Sequence, residues 1–290
     1  MPEQVQPVRV ADVAALSAAQ VELLDAWLPG AVVTRDHGWG LVATTVLEVE
    51  HDGHLAIVKA GGASDHHIER EVRAHREWLP PWVDCGDAPR LLHADPAAKV
   101  LVTRYLPGRL VLGDPAADEP ETYRQAGTLL AQLHGQHEQL DVDHEHRENA
   151  KALAWLDGDH RIDAATAHRL RALISSWPHE PATVVPTHGD WQPRNWLVDD
   201  GTVRVIDFGR AALRPALTDL TRLAAQDFAR DPALEAAFLD GYGSDPREPA
   251  AWLRTRVREA IGTACWAHAV GDTGFEAQGH RMVAEVLAVV

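Results

Sequence analysis

The stretch from Thr187 to Leu220, THGDWQPRNWLVDDGTVRVIDFGRAALRPALTDL, restricts the fold more than any other part of the chain. Two short apolar runs, NWLV and VRVI, flank Asp200-Gly201, a dipeptide that favours a tight turn, so the runs read as a hairpin of short strands. Asp190 and Asn195 precede the first run and Asp207 follows the second. Two acids and an amide in this arrangement offer a base and two oxygen ligands for a hard cation. That is the equipment required for phosphoryl transfer from a magnesium-bound nucleotide.

Such a transfer needs positioned charge and a group that orients the attacking hydroxyl, and little covalent help. Asp190, on a loop after an apolar strand, is placed to accept the hydroxyl proton. Asn195 lies five residues on, enough for the chain to curl back and offer an amide oxygen to the metal region. Asp207 closes VRVI and is followed by Phe208-Gly209, where a glycine lets the backbone turn away from a bound ion. Any one Asp alone is more often a turn residue or a helix cap. The joint spacing, H-G-D-x-x-x-x-N with I-D-F-G starting eleven residues beyond the Asn, sets this group apart. His188, beside the base, is expected to organise the loop by hydrogen bonds.

The order of elements supplies the setting. Helical spacing runs over 10–28 and stops at Pro29-Gly30. Residues 31–60 turn β-like, with Asp52-Gly53 marking a hairpin, and a helix is expected from Ser64, its candidate cap, to Leu79 before Pro80-Pro81. RLLHAD and KVLVTRYL read as two further strands. From Leu106-Pro107-Gly108 onward the chain is mostly helical, including one helix over 216–229 and a last one within 271–290. The expected fold is α+β and bilobal: a β-rich lobe over 1–106 and a mainly helical lobe over 107–290. The linker near 104–108, with Arg104 and Tyr105, would be the hinge beside a nucleotide.

Lysine is scarce. Lys59, Lys99 and Lys151 are the only three in the chain, so a lysine kept in an apolar context is informative. Lys59 ends the strand AIVK, ahead of the helix carrying Glu69 and Glu71. It can anchor nucleotide phosphates while one helix carboxylate holds it, Glu71 being preferred and Glu69 the fallback. The competing reading is an edge-strand lysine that blocks strand pairing. The segment DHGWGLVATT (36–45) has Gly38 and Gly40 but no third glycine. Its backbone amides can still cover phosphates, with Thr44 or Thr45 adding a hydroxyl.

His188-Gly189-Asp190 with Asn195, Ile206-Asp207-Phe208-Gly209, and Pro215 with Asp219-Leu220 resemble the aminoglycoside phosphotransferase family. Choline and homoserine kinases are related, and the arrangement is similar to protein kinases. The resemblance spans roughly 31–225 and is specific mainly in 187–220. It implies a bilobal kinase fold, ATP (or GTP) with Mg2+, and O-phosphorylation of a small-molecule hydroxyl. By matching position Asp190 is the catalytic base, Asn195 and Asp207 hold magnesium, Lys59 binds the phosphates and Glu71 pairs with it. Asp219 supports the catalytic loop. Arg194 has two readings, a stabiliser of the transferring phosphate or a partner for a neighbouring carboxylate.

Composition narrows the partners. The net charge of −16 repels nucleic acid and attracts a cationic small molecule. Acidic candidates for an acceptor wall are Asp157, Asp159, Asp227, Asp231, Glu235 and Asp240. An aminoglycoside or similar antibiotic suits such a wall, while a sugar or amino alcohol fits the same catalytic loop. Two cysteines form no disulfide framework, and no apolar run approaches the roughly 20 residues that span a bilayer. With no basic-then-apolar leader at the N-terminus, the expectation is a cytoplasmic monomer or weak dimer without membrane or nucleic-acid partners. The 17 histidines show no zinc-site spacing. Most of the tryptophans, Trp27, Trp78, Trp155, Trp252 and Trp266 among them, are expected in the core.

Overall fold

Alternating apolar residues in the first third build a sheet with both faces covered. A computed structural model describes residues 8–38 and 44–290. Five antiparallel strands, β1 (Val32–Asp36), β2 (Thr44–His51), β3 (His54–Gly61), β4 (Leu91–Asp95) and β5 (Val100–Arg104), stand in the order β1-β2-β3-β5-β4. One face packs Leu47, Val49, Ala56, Val58, Val100 and Val102 against Leu24 of α1 (Ala18–Trp27). Ser17 opens α1 with a capping box: its hydroxyl accepts the Gln20 amide and the Gln20 side chain accepts the Ser17 amide. That cap is why the helical pattern over 10–28 divides into a short 3-10 turn at Val10–Asp12 and then α1.

The opposite face is covered by α2 (His67–Glu77), whose Ile68 and Val72 pack on Leu101. Because Val58 and Ala60 face α1, period-two alternation turns Lys59 towards α2. The expected cap at Ser64 is displaced by one residue: Asp65 Oδ1 accepts the His67 and Ile68 amides at 2.8 and 3.0 Å. Pro80-Pro81 follows the end of α2 but also fills the first turn of α3 (Pro80–Cys85), where no amide is needed.

Two compact units emerge, Met1–Leu129 with His188–Ala212, and Leu130–Thr187 with Leu213–Val290. The first also holds β6 (Arg109–Leu110), β9 (Trp196–Asp199) and β10 (Thr202–Val205), in the order β10-β9-β6. α4 (Pro120–His134) runs across the division. In the second, β7 (Gln139–Asp141), β8 (Ala182–Thr187) and β11 (Ala212–Arg214) pair in the order β11-β8-β7. Its helices are α5 (His144–Asp157), α6 (Ala164–Ser175), α7 (Thr221–Ala225), α8 (Asp227–Arg230), α9 (Pro232–Tyr242), α10 (Pro249–Val270) and α11 (Thr273–Leu287). Leu156, Leu170, Ile174, Val257, Ile261 and Val283 fill its core.

Where one helix was expected over 216–229, a 3-10 turn at Ala216–Leu220 leads into α7 and α8. Thr218 and Thr221 hydroxyls donate to the Pro215 and Thr218 carbonyls, diverting acceptors from a regular helix. Trp155 and Trp266 are 38% and 44% exposed, against the expectation of a core position. Among the described residues no helix is long and apolar enough to cross a membrane.

α10 and α11 meet at a glycine. A Cβ on Gly279 would lie 2.4 Å from the Ala264 amide nitrogen. Gly279→Ala must push the helices apart and is expected to cost about 1–3 kcal/mol. Gly262, whose Cβ would meet open space, should gain up to about 1 kcal/mol on replacement by Ala. Urea midpoints of the two variants check this opposite pair of signs.

Candidate active site

Lys59 Nζ donates to Glu71 Oε1 and Oε2 at 2.8 and 2.9 Å and to Asp207 Oδ1 at 2.9 Å. The helix face explains the choice of acid. Ile68, Glu71, Val72 and His75 recur at helical spacing and are all buried, whereas Glu69 is exposed. Burial works against the Lys59 charge, but the attraction of Asp207 and Glu71 outweighs it and holds the ammonium above its ordinary range. Burial pushes the Glu71 carboxyl up, with Lys59 offsetting part of the rise. Asp207 moves the other way: the Lys59 charge holds this half-exposed carboxyl well below the usual carboxylate range.

The hairpin brings the remaining groups to this pair. Asp200 and Gly201 both take positive φ, 47° and 75°, as the tight turn between β9 and β10 requires. The resulting register pairs Trp196 with Val205. One step further out, the Ile206 amide donates to the Asn195 carbonyl at 3.0 Å, which sets Asn195 beside the residue that precedes Asp207. Asp207 itself has φ 68°, a left-handed conformation that a short polar side chain tolerates better than most.

Within the loop, Asp190 is buried and its carboxylate is gripped from several sides. Oδ1 accepts from Gln192 Nε2 at 2.5 Å, and Oδ2 accepts from Arg194 Nη2 at 2.5 Å and Asn195 Nδ2 at 3.1 Å. Asn195 Nδ2 also donates to the Asp190 carbonyl at 2.8 Å. With the amide nitrogen spent on Asp190, Oδ1 is the atom Asn195 has for a cation. Arg194 thus meets a neighbouring carboxylate, the second of its two readings. His188 Nδ1 accepts the Asp190 amide at 3.2 Å while Nε2 lies 3.1 Å from the Ile206 carbonyl. Both contacts are hydrogen bonds only with the ring proton on Nε2.

Trp191 and Trp196 are fully buried, and with Trp82, Phe208 and His188 they form an aromatic seat under the loop. His75 of α2 meets the Phe208 edge, and burial first, then Lys59, drives its pKa down to about 3. Sequence reading missed Gln192, Trp82 and His75. Gln192 had a signal, since it sits inside the loop motif, whereas Trp82 and His75 belong to other elements and had none.

The other expected residues lie as follows. The Gly38 amide donates to Asp36 Oδ1 at 2.7 Å, and Gly40 lies outside the described residues. Thr44 Oγ1 donates to Asp65 Oδ2 at 3.1 Å. Arg104 ends β5 with its side chain exposed, and the Tyr105 amide donates to the Leu55 carbonyl at 3.1 Å. In the second unit Asp219 is buried, 3.1 Å from His134 Nε2, whose Nδ1 lies 2.8 Å from the Tyr242 hydroxyl. The acids nominated for an acceptor wall are largely engaged: Asp157 with Arg171, Asp227 with Arg230 and Glu235 with Arg247, while Asp231 caps α9. A 680 Å³ cavity in that unit is instead lined by Glu138, Glu145, Glu180 and Glu248, with Tyr242 and Arg254.

Asn195 offers an amide oxygen and Asp207 a carboxylate, hard-oxygen donors whose chemistry fits magnesium. Among the described residues no group of three or more His, Cys, Asp or Glu is arranged to hold a metal. Magnesium does not need one, because it commonly takes one or two protein oxygens together with substrate phosphates.

Residues 66–253 match the phosphotransferase enzyme family, and the chain belongs to that family. It is accordingly a phosphotransferase of the small-molecule kinase type. The fold is kinase-like, as solved structures show. A thermostable mutant of aminoglycoside phosphotransferase APH(4)-Ia, in complex with AMP-PNP and hygromycin B, superposes with a TM-score of 0.70 at 11% identity, over 94% of this chain and 98% of that one. Choline kinase LicA from Streptococcus pneumoniae gives 0.68 at 15% identity, over 93% and 97%. Macrolide 2'-phosphotransferase MphH from Brachybacterium faecium gives 0.56 at 18%, over 91% and 96%. No curated protein sequence matches the chain.

The depressed Asp207 carboxyl makes an acid-side prediction. A group whose folded pKa lies below its unfolded value contributes stability above the ordinary carboxylate range and loses it as pH falls through the folded value. The stability difference between the wild type and Asp207→Asn should therefore begin to shrink below about pH 5 and keep shrinking as the pH is lowered further. Urea unfolding at stepped pH measures it, and a difference that grows towards acid pH contradicts the ion pair.

Proposed function

We propose that the protein transfers the γ-phosphoryl group of ATP to a hydroxyl of a small molecule, an aminoglycoside or a similar antibiotic. The observation that carries this reading is the tie between two charge systems. Lys59, Glu71 and Asp207 form one, the Asp190 loop forms the other, and the Asn195–Ile206 hydrogen bond joins them. In this reading Lys59 anchors the nucleotide phosphates and Glu71 holds Lys59 in place. Gly38 and Thr44 belong to the nucleotide side, as does Gly40, which lies outside the described residues, and Arg104 and Tyr105 lie beside the nucleotide. GTP would fit the same phosphate contacts. Residues 1–106 act as the nucleotide lobe and 107–290 carry the catalytic loop and acceptor helices.

Asp190 accepts a hydrogen bond from the acceptor hydroxyl and takes its proton as the new O–P bond forms. The bond from the γ-phosphorus to the bridging oxygen breaks, and ADP leaves with that electron pair. Gln192, Arg194 and Asn195 keep the Asp190 carboxylate in one orientation, which lowers the reorganisation needed at each turnover. Asn195 and Asp207 would hold Mg2+, which when bound offsets charge on the β- and γ-oxygens. His188 organises the loop by hydrogen bonds without touching the reacting atoms, and Asp219 is a structural acid paired with His134.

An amine-rich acceptor is supported by the net charge of −16 and by the likeness to an enzyme crystallised with hygromycin B. The likeness to choline kinase LicA favours an amino alcohol as the second reading. A cytoplasmic location, where ATP is abundant, suits both.

Asp190→Ala and Asp207→Ala should each lower phosphoryl transfer by about 10²–10⁴-fold with circular dichroism unchanged. The measurement is ADP release across a panel of aminoglycosides, sugars and amino alcohols. Ordinary turnover in either variant would sink the assignment.

A further inference from the structure

Gly61 closes β3 and pairs with Thr44, the first residue of β2. A Cβ on Gly61 would lie 2.5 Å from Asp65 Cγ, so the absent side chain is the space that Asp65 uses to reach across to β2. Asp65 Oδ2 accepts the Thr44 hydroxyl proton at 3.1 Å, while Oδ1 accepts the first amides of α2. The connection between β3 and α2 is pinned from outside as well. Lys99 Nζ donates to the Asp65 carbonyl at 2.6 Å and also to the Ala63 carbonyl. Gln20 Nε2 donates to the carbonyls of Gly61 and Ala98 at 3.0 and 2.9 Å.

A helix cap needs one acceptor oxygen, which Ser, Thr or Asn would supply equally well. Asp65 has two, and the second goes to Thr44, where the chain enters β2 from the glycine segment. The same carboxylate is built into the start of α2, the helix that carries Glu71. We infer that Asp65 is a positioning residue for nucleotide binding, locking the beginning of β2 to α2 and so to the Lys59–Glu71 pair. Thr44 acts through it. A threonine hydroxyl has a single proton, and this one is given to Asp65, so Thr44 anchors the start of β2 and is not a donor to phosphate. The inference rests on the reading of Lys59 as the nucleotide anchor.

The test uses the full chain with AMP-PNP and magnesium as the probe. Asp65→Ser keeps a capping oxygen but is too short to reach Thr44, and Thr44→Val removes the hydroxyl at constant shape. Each should raise the AMP-PNP Kd about fivefold or more, with the thermal midpoint and the KM for the acceptor unchanged. Thr44→Ser, which restores the hydroxyl, should recover the affinity. Wild-type affinity in Asp65→Ser and Thr44→Val, alongside loss of binding in Lys59→Ala, overturns the inference and leaves the nucleotide site standing. A fall in thermal midpoint with nucleotide and acceptor affected equally also overturns it, since that marks a purely structural contact. Wild-type affinity in Lys59→Ala instead removes the nucleotide reading, and this inference with it.

Discussion

A single ammonium buried between two carboxylates organises the first unit. Lys59 is on a central strand, Glu71 on the helix that covers that strand, and Asp207 at the far end of the hairpin that follows the Asp190 loop. Removing two of these charges from water is costly, and only close geometry with several hydrogen bonds compensates. The three groups therefore have to be placed accurately by their elements. Strand alternation turns Lys59 to the helix side, helical spacing turns Glu71 to the strand side, and a left-handed backbone at Asp207 completes the set.

Much of this was legible in the sequence because local chemistry fixed it. Asp200-Gly201 announced a turn, and the turn fixed the register that brings Asn195 next to Ile206 and Asp207. The strand-then-helix order around Lys59 narrowed its partner to two acids, and the buried face of α2 decides for Glu71. What could not be read came from tertiary competition. The helix expected over 216–229 breaks where threonine hydroxyls bond local carbonyls. Trp155 and Trp266 obey helical periodicity yet remain partly exposed, because periodicity selects a face and says nothing of what covers it.

The acids of the second unit show the same limit from the side of function. As a sequence they look like a surface ready for a cationic acceptor. In the fold, Asp157, Asp227 and Glu235 neutralise arginines, and Asp231 caps the start of α9. Composition counts charges, whereas recognition depends on those that have no internal partner. This is why the reaction could be argued from a few motif residues while the acceptor required reasoning from net charge and structural likeness.

The β9–β10 turn carries a consequence of its own. Asp200 and Gly201 lie at the turn end of the hairpin, away from Asn195 and Asp207, so their identity is open to drift among residues that accept positive φ. Their number is not. One residue gained or lost there would slide β10 past β9, carry Asp207 away from Asn195, and break the contact with Lys59. The length of an exposed turn is thereby coupled to a buried ion pair, and insertions that most surface loops absorb would disturb the Lys59–Asp207 contact here.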